Sequence, residues 1–110
     1  MLSHSAAAAF QRGLAPIHMA AKYGHIHIME ILCEFGAKVN AATGNGSHNA
    51  LHIGVLENHA MVVEFLMKNG CDKNLADEDG FTPLHKAIQL GNGRMIETLL
   101  STGAQVKFSS

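Results

Sequence analysis

The chain has 110 residues, of which 47% are apolar and only 15% are charged, and its net charge is −1 with neutral histidines. This balance excludes an intrinsically disordered chain, and it shows none of the basic surplus that nucleic-acid binders usually carry. No apolar stretch approaches the ~20 residues of a membrane-spanning helix, and the run from Ala6 to Phe10 is too short for a secretory signal.

Apolar residues at helical spacing, bounded by proline and glycine, predict three pairs of short helices in chain order. Pro83 suits the first position of a helix, Thr82 before it suits the cap, and Gly103 ends the last helix. The predicted pairs are Pro16–Tyr23 with Ile26–Phe35, Ala50–Glu57 with Ala60–Asn69, and Pro83–Leu90 with Arg94–Thr102.

These pairs belong to an internal repeat. Three histidines that follow a small apolar motif, His18, His52 and His85, are spaced by 34 and then 33 residues. A glycine comes eighteen residues after each histidine, and a glycine or asparagine comes six residues after each. Since three independent landmarks keep the same phase, the chain is a repeat protein with a period of ~33 residues.

The third copy, Asp77 to Ala87, reads D-E-D-G-F-T-P-L-H-K-A and resembles the ankyrin repeat pattern D-x-x-G-x-T-P-L-H-x-A. The resemblance covers about residues 10 to 107 and is weakest in the second copy. It implies an all-α solenoid of helix-turn-helix units joined by β-turn or hairpin loops. The units are then residues 11–43, 44–76 and 77–107, with tails at 1–10 and 108–110.

Two departures from the family pattern predict weak points. Ala15 stands where the third unit has its capping Thr82, and Gly54 lies inside a helix where the family usually has alanine. Each departure costs ~1 kcal/mol of stability, through lost capping and low helix propensity respectively. The middle unit is therefore expected to be intrinsically weak.

The histidines are explained by the resemblance, which implies that the imidazole bonds the preceding Thr and holds one unit to the next. Only His85 has its Thr, so this network is expected to be incomplete in the first two units. The histidines and the isolated Cys33 and Cys71 lack the ligand spacing of a structural zinc site, so we expect no metal and no cofactor. Both thiols are expected to be buried, in a reducing cytoplasmic or nuclear compartment.

No catalytic constellation is visible, and no phosphate-binding loop motif is present. The acidic run Asp77 to Asp79 is interpreted as a solvated turn, because it lacks the spacing of a calcium loop. Methionines at helical positions are expected to fill the core; they are Met29, Met61, Met67 and Met95.

The resemblance also implies a concave face, lined by the turn tips and first helices, that binds a partner protein. Candidate contact residues come from the variable positions of each unit. They are Gln11, Arg12, Leu14, Lys22 and Tyr23 in the first, Asn45, His48, Leu56 and Glu57 in the second, and Glu78, Asp79, Phe81, Gln89 and Leu90 in the third. One end of this face is basic and the other acidic, which favours one docking direction.

The sequence thus predicts a non-enzymatic protein–protein interaction module, such as a scaffold, an adaptor or an inhibitor-like array. We expect no nucleic acid, membrane or small-molecule substrate among its partners. The alternative is a regulatory ankyrin segment of a larger enzyme or channel. Neither end shows the polar capping repeat that solenoids normally need, so either the short tails cover the ends or the chain continues into further ankyrin repeats; we expect the second.

Overall fold

The computed structural model describes residues 13–44 and 48–103, and every regular element within these ranges is a helix. Each helix boundary lies within one residue of its predicted position, so the all-α prediction is confirmed. The elements are α1 (Pro16–Tyr23), α2 (Ile26–Glu34), α3 (Ala50–Leu56), α4 (Ala60–Lys68), α5 (Pro83–Gln89) and α6 (Gly93–Ser101). The exact unit boundaries remain a prediction.

The helices form two rows. Helices α1, α3 and α5 pack side by side in the first row, and α2, α4 and α6 form the second, each packed on its partner from the first. Each helix pair, called here repeat one, two or three, buries its apolar face between the rows and against its neighbour. The buried apolar residues are Ile17, Ala20, Ala21, Met29, Ala50, Leu51, Val55, Val62, Val63, Leu66, Met67, Cys71, Leu84, Ala87, Met95 and Leu99.

The first-row helices begin at extended residues that present a cap. Thr82 Oγ1 accepts the backbone N–H of His85 at 3.3 Å, and Asn49 Oδ1 accepts that of His52 at 3.0 Å. Asparagine therefore replaces threonine as the cap of repeat two. Ala15 has no side-chain acceptor, although its backbone angles of −78° and 164° match those of Thr82, −78° and 170°.

The first-row helices end where the backbone turns left-handed. The residues six places after the repeat histidines, Gly24, Asn58 and Gly91, have φ values of +72°, +62° and +68°. Glycine adopts this conformation without strain, and asparagine tolerates it better than most residues. The second-row helix starts two residues later in each repeat.

The repeat histidines join neighbouring parts of the stack, and the expectation of an incomplete network is wrong for repeat two. His18 Nδ1 accepts the Ala15 N–H at 2.8 Å, so its Nε2 carries the proton and donates to the Ala41 carbonyl at 2.7 Å. His52 lies 3.0 Å from Asn49 Oδ1 through Nδ1 and 3.2 Å from the Phe81 carbonyl through Nε2. Only the capping hydroxyl is lost at Ala15.

Two further expectations need correction. Met29, Met67 and Met95 are buried, but Met61 is 68% exposed on the outer side of α4. The expectation that Gly54 only weakens its helix is also incomplete, because a larger residue would be crowded there. A Cβ at this position would lie 3.2 Å from Val63 Cγ2 and 3.3 Å from Val62 Cγ1. The glycine allows α3 to approach α4 closely.

Neither cysteine forms a disulfide. Cys33 is half-buried, whereas Cys71 is buried with its Sγ 3.6 Å from the Val39 carbonyl in the preceding linker. Burial raises the pKa of Cys71 to about 11, so its thiol is protonated at neutral pH. Among the described helices, none has both the length and the apolar character needed to cross a membrane.

Candidate protein-binding face

Exposed apolar side chains lie at the ends of all three first-row helices. Tyr23 closes α1, Leu56 closes α3, and Leu90 follows α5, and each is more than two-fifths exposed. Folding leaves these groups in water, and exposed apolar side chains in series are typical of binding surfaces.

Polar candidates border this apolar series. The Nζ of Lys22 lies 5.6 Å from the centroid of the Tyr23 ring, close enough for a cation–π contact. Glu57 and Gln89 are exposed at the ends of α3 and α5. A partner meeting the apolar groups would therefore also meet these polar ones.

The turn before α5 is organised around Asp77, which the sequence interpretation treated as solvated. Asp77 is buried, and its Oδ1 accepts the backbone N–H groups of Asp79 and Phe81, both at 2.9 Å. Its Oδ2 lies 3.3 Å from Lys86 Nζ. Burial by itself would raise the pKa of Asp77, but the Phe81 N–H, Lys86 and the Asp79 N–H outweigh it and lower the pKa. Asp77 is thus a structural anchor, while Glu78 and Asp79 are exposed beside it.

Phe81 is half-buried rather than fully exposed at the turn tip. Lys86 Nζ lies 5.0 Å from its ring centroid, and the ring of His85 meets it edge-on at 5.8 Å. Truncating Phe81 would therefore disturb the turn as well as the surface, which makes Tyr23 the cleaner probe of binding.

The candidates in the other two turns are less exposed. His48 is half-buried, with Nε2 3.9 Å from Asp77 Oδ2 and its ring edge-on to His52 at 5.2 Å. Leu14 is also half-buried. Three candidates, Gln11, Arg12 and Asn45, lie outside the described residues.

The structure thus brings together four of the predicted residues, His48, Glu78, Asp79 and Phe81, around the ion pair of Asp77 and Lys86. It also places Lys22 beside Tyr23. Lys86, which the candidate set omits, bridges the first of these groups. It occupies the variable position after the histidine in T-P-L-H-x-A, so the repeat pattern alone could have identified it.

A second surface lies on the outer side of the molecule, between α2 and α4. It is a shallow groove lined by Ile26, Glu30, Met61, Glu64, Phe65 and Lys68. Across residues 13–44 and 48–103, no three histidine, cysteine, aspartate or glutamate side chains come together as metal ligands.

Comparison with known proteins gives consistent matches. A family model described as ankyrin repeats (3 copies) matches residues 1–77, and one described as ankyrin repeats (many copies) matches residues 55–100. The putative ankyrin repeat protein FPV031 of fowlpox virus (strain NVSL) is 33% identical over 75 residues, which is 68% of this chain and 22% of that protein.

Two animal proteins are similar over a larger part of the chain. Alpha-latrotoxin-Lh1a of Latrodectus hasselti is 33% identical over 92 residues, which is 83% of this chain and 7% of the toxin. Rabankyrin-5 of Homo sapiens is 30% identical over 89 residues, 80% of this chain and 8% of that protein. The chain therefore spans less than a quarter of each of these three relatives.

Proposed function

Because the chain belongs to the ankyrin repeat family, we propose that it binds another protein through its concave face, without catalysing a reaction. Ankyrin repeats generally mediate protein–protein interaction. One observation carries the choice of face: Tyr23, Leu56 and Leu90 are exposed at equivalent ends of the three first-row helices. Large exposed side chains of this kind supply binding energy when a partner buries them.

The proposal includes the polarity of the partner. The face carries a cation at one end, Lys22, and the carboxylates Glu78 and Asp79 at the other. Lys86 contributes little charge, because Asp77 neutralises it at 3.3 Å. A partner with an acidic group towards repeat one and a basic group towards repeat three complements this arrangement, and opposite docking would place like charges together.

The test is a quantitative capture experiment with matched surface variants. Wild-type chain, a Tyr23→Ser/Leu90→Ser variant and a Met61→Ser control are immobilised, and bound proteins from cell extract are quantified by mass spectrometry. We expect specific partners to be lost from the Tyr23/Leu90 variant and retained by the control, whose changed side chain is exposed on α4. Unchanged thermal melting of both variants shows that the fold is intact.

The opposite pattern, with partners lost from Met61→Ser and retained by the double variant, would move the binding site to the outer groove. Retention by both variants would reject both surfaces. Purified partner is then titrated against the wild type and the Tyr23→Ser/Leu90→Ser variant, which is expected to bind ~30-fold more weakly, equivalent to ~2 kcal/mol.

A second proposal is a regulatory ankyrin segment of a larger enzyme or channel. The observation in its favour is that the chain spans only 7% of alpha-latrotoxin-Lh1a and 8% of Rabankyrin-5. An antibody against the chain distinguishes the two proposals by the size of the native polypeptide. We also propose a cytoplasmic or nuclear location, which the free thiols Cys33 and Cys71 favour and cell fractionation tests.

A further inference from the structure

The outer groove between α2 and α4 extends along most of both helices. It consists of two shallow hollows of about 230 Å³ and 490 Å³, which both include Glu30 and Phe65 in their walls. The remaining lining residues are Ile26, Met61, Glu64 and Lys68 in the first hollow and Cys33, Glu34 and Asn69 in the second. The groove lies between two repeats rather than on an end face of the stack, so both of its walls are present.

The apolar floor of the outer groove is not required for stacking the repeats. The same seam recurs between α4 and α6, which pack on each other as α2 and α4 do. The three apolar lining residues have small or polar counterparts at that seam. Counting by the repeat, the pairs are Ile26 and Ala60, Met61 and Arg94, and Phe65 and Thr98. The apolar groups of the outer groove are therefore available for a role other than folding.

Met61 provides most of the accessible apolar surface of the groove. Its side chain is 68% exposed, whereas Phe65 is half-buried against the core and Ile26 is also half-buried. A partner that covers these side chains removes apolar surface from water, which favours binding in proportion to the area buried. The flexible thioether of methionine also adapts to the shape of the group that it meets.

The rim of the outer groove is acidic. Its lining contains three carboxylates, those of Glu30, Glu34 and Glu64, and one ammonium group, that of Lys68. Glu30 Oε1 lies 3.2 Å from His27 Nδ1, but none of the ion pairs within residues 13–44 and 48–103 includes Glu34 or Glu64. Both of these carboxylates are exposed, so a cationic partner can reach them without breaking an ion pair.

The groove suits a helical partner better than an extended one. Every regular element within residues 13–44 and 48–103 is a helix, so a strand would find no sheet edge there to pair with. A helix satisfies its own backbone and places side chains three and four residues apart on one face. Since α2 and α4 have nine residues each, their length of about 13 Å matches about two to three turns of such a helix.

We propose that the outer groove binds a basic amphipathic helix of another protein. The apolar face of this helix covers Met61 and Phe65, and lysine or arginine side chains beside that face meet Glu30, Glu34 and Glu64. An acidic helix would instead bring like charges together at the rim. The groove is separate from the exposed ends of the first-row helices, so one molecule can hold a second segment here while its concave face is occupied.

Titration in solution tests the proposal, because a short helix in a shallow groove binds with a dissociation constant of ~10–100 μM and is lost when captured proteins are washed. The probe is a synthetic helical peptide of about 14 residues, roughly 21 Å long, with leucines on one face and lysines beside them. One comparison peptide carries glutamate in place of each lysine. Another has the same composition as the probe in an order that leaves no apolar face.

NMR spectra of the ¹⁵N-labelled chain locate the bound peptide. The basic amphipathic peptide is expected to shift amide signals of Ile26–Glu34 and Ala60–Lys68. Both comparison peptides are expected to bind at least about ten-fold more weakly, since each lacks either the charge or the apolar face.

Glu64→Lys is expected to weaken binding of the basic peptide by about five-fold at low salt and to strengthen binding of the acidic peptide. Glu97→Lys is the matched control, because Glu97 is the exposed counterpart of Glu64 on α6 and lies outside the groove lining. It changes the net charge equally and is expected to leave the affinity unchanged. Met61→Ser tests the apolar anchor and is expected to weaken binding by about five-fold.

The Tyr23→Ser/Leu90→Ser variant is expected to bind the basic peptide like wild type, so the result does not depend on the concave-face proposal. Unchanged amide signals away from the substituted side chains show that each variant is folded. Equal weakening by Glu64→Lys and Glu97→Lys overturns the proposal, because net charge rather than the groove then attracts the peptide. The absence of binding by the basic peptide, equally tight binding of either comparison peptide, or shifts outside α2 and α4 also overturns it.

Discussion

Asn49 contacts His52 twice, since its Oδ1 lies 3.0 Å from the backbone nitrogen of His52 and 3.0 Å from its Nδ1. Thr82 makes the same two contacts to His85, at 3.3 Å and 3.0 Å. The hydroxyl of Thr82 both accepts and donates, whereas the amide oxygen of Asn49 only accepts. Nδ1 of His85 can therefore accept a hydrogen bond from the Thr82 hydroxyl, whereas Nδ1 of His52 can bond to Asn49 Oδ1 only when Nδ1 itself carries a proton.

Ala15→Thr is expected to raise the free energy of unfolding by ~0.5–1 kcal/mol. The backbone at Ala15 already has the conformation of Thr82, and the His18 ring is already held by the Ala15 N–H at 2.8 Å. Urea unfolding followed by circular dichroism measures the change. Ala15→Val is the matched control, because it has the shape of threonine without the hydroxyl; an equal gain in the control would refute the capping explanation.

The stability of the fold is expected to fall as the pH decreases below about 6.5. Burial lowers the pKa of His52 from its ordinary value of 6.5, with His48 and Lys86 acting in the same direction, while the Phe81 carbonyl and Asp77 oppose the shift. The unfolded chain then takes up a proton at higher pH than the folded one. The contribution of His52 is therefore complete above about 6.5 and is lost as the pH falls through its folded-state pKa.

Urea midpoints measured across this range test the pH effect, with His52→Gln as the control whose midpoint depends less on pH. Titration of the His52 ring by NMR gives the pKa directly. Both ring nitrogens lie near acceptor oxygens, of Asn49 and Phe81, and this arrangement favours the charged ring. A measured pKa above 6.5 would show that the two acceptors outweigh burial, and the expected loss of stability would not occur.

Gly54→Ala is expected to change stability by less than about 0.5 kcal/mol, although alanine is favoured by ~1 kcal/mol inside a helix. The new Cβ lies 3.2 Å from Val63 Cγ2 and 3.3 Å from Val62 Cγ1, so crowding offsets the gain in propensity. Gly93→Ala serves as the comparison, because no atom lies within 4 Å of its added Cβ, and it is expected to stabilise. A full gain at Gly54 would mean that the valines move aside without cost.

Gly24→Ala is expected to destabilise the fold more than Gly91→Ala does. Both glycines are left-handed, with φ of +72° and +68°, so each substitution costs ~1–2 kcal/mol in backbone strain. A Cβ on Gly24 would also lie 2.6 Å from Nδ1 of His59, whereas nothing lies within 4 Å of one on Gly91. Chemical denaturation of both variants gives the difference, and equal losses would show that the His59 ring is free to move.

The sequence predicts the helices well because their signals are local. Pro83 and Thr82 start a helix by their own chemistry, and the turn residues Gly24 and Gly91 end one by their conformation. The capping role of Asn49 has a local signal, because asparagine is a favoured cap and His52 lies three residues later. Its contact with the next linker has none, because the amide donates to the carbonyl of Asp72, 3.0 Å away but 23 residues later in the chain. No local pattern reveals such a contact.

The candidate face is predictable from the sequence only where its residues depend on their position in the repeat. The exposure of Tyr23 and Leu90 follows from their register in the repeat. The burial of Asp77 does not, because it depends on Lys86 reaching back across the turn to 3.3 Å. The constraint on Gly54 likewise arises from the close approach of two helices, which the spacing of apolar residues does not specify.

The chemical reactivity of the Cys71 thiol depends on the contact between repeats one and two. Its thiol is buried against the Val39 carbonyl, and with a pKa of about 11 almost none of it is thiolate at neutral pH. A thiol-specific reagent can therefore modify Cys71 only when the linkers separate, while the half-buried Cys33 serves as an internal reference. The labelling rate of this single side chain then gives the frequency with which the stack opens, and a bound partner that clamps the two repeats would slow it.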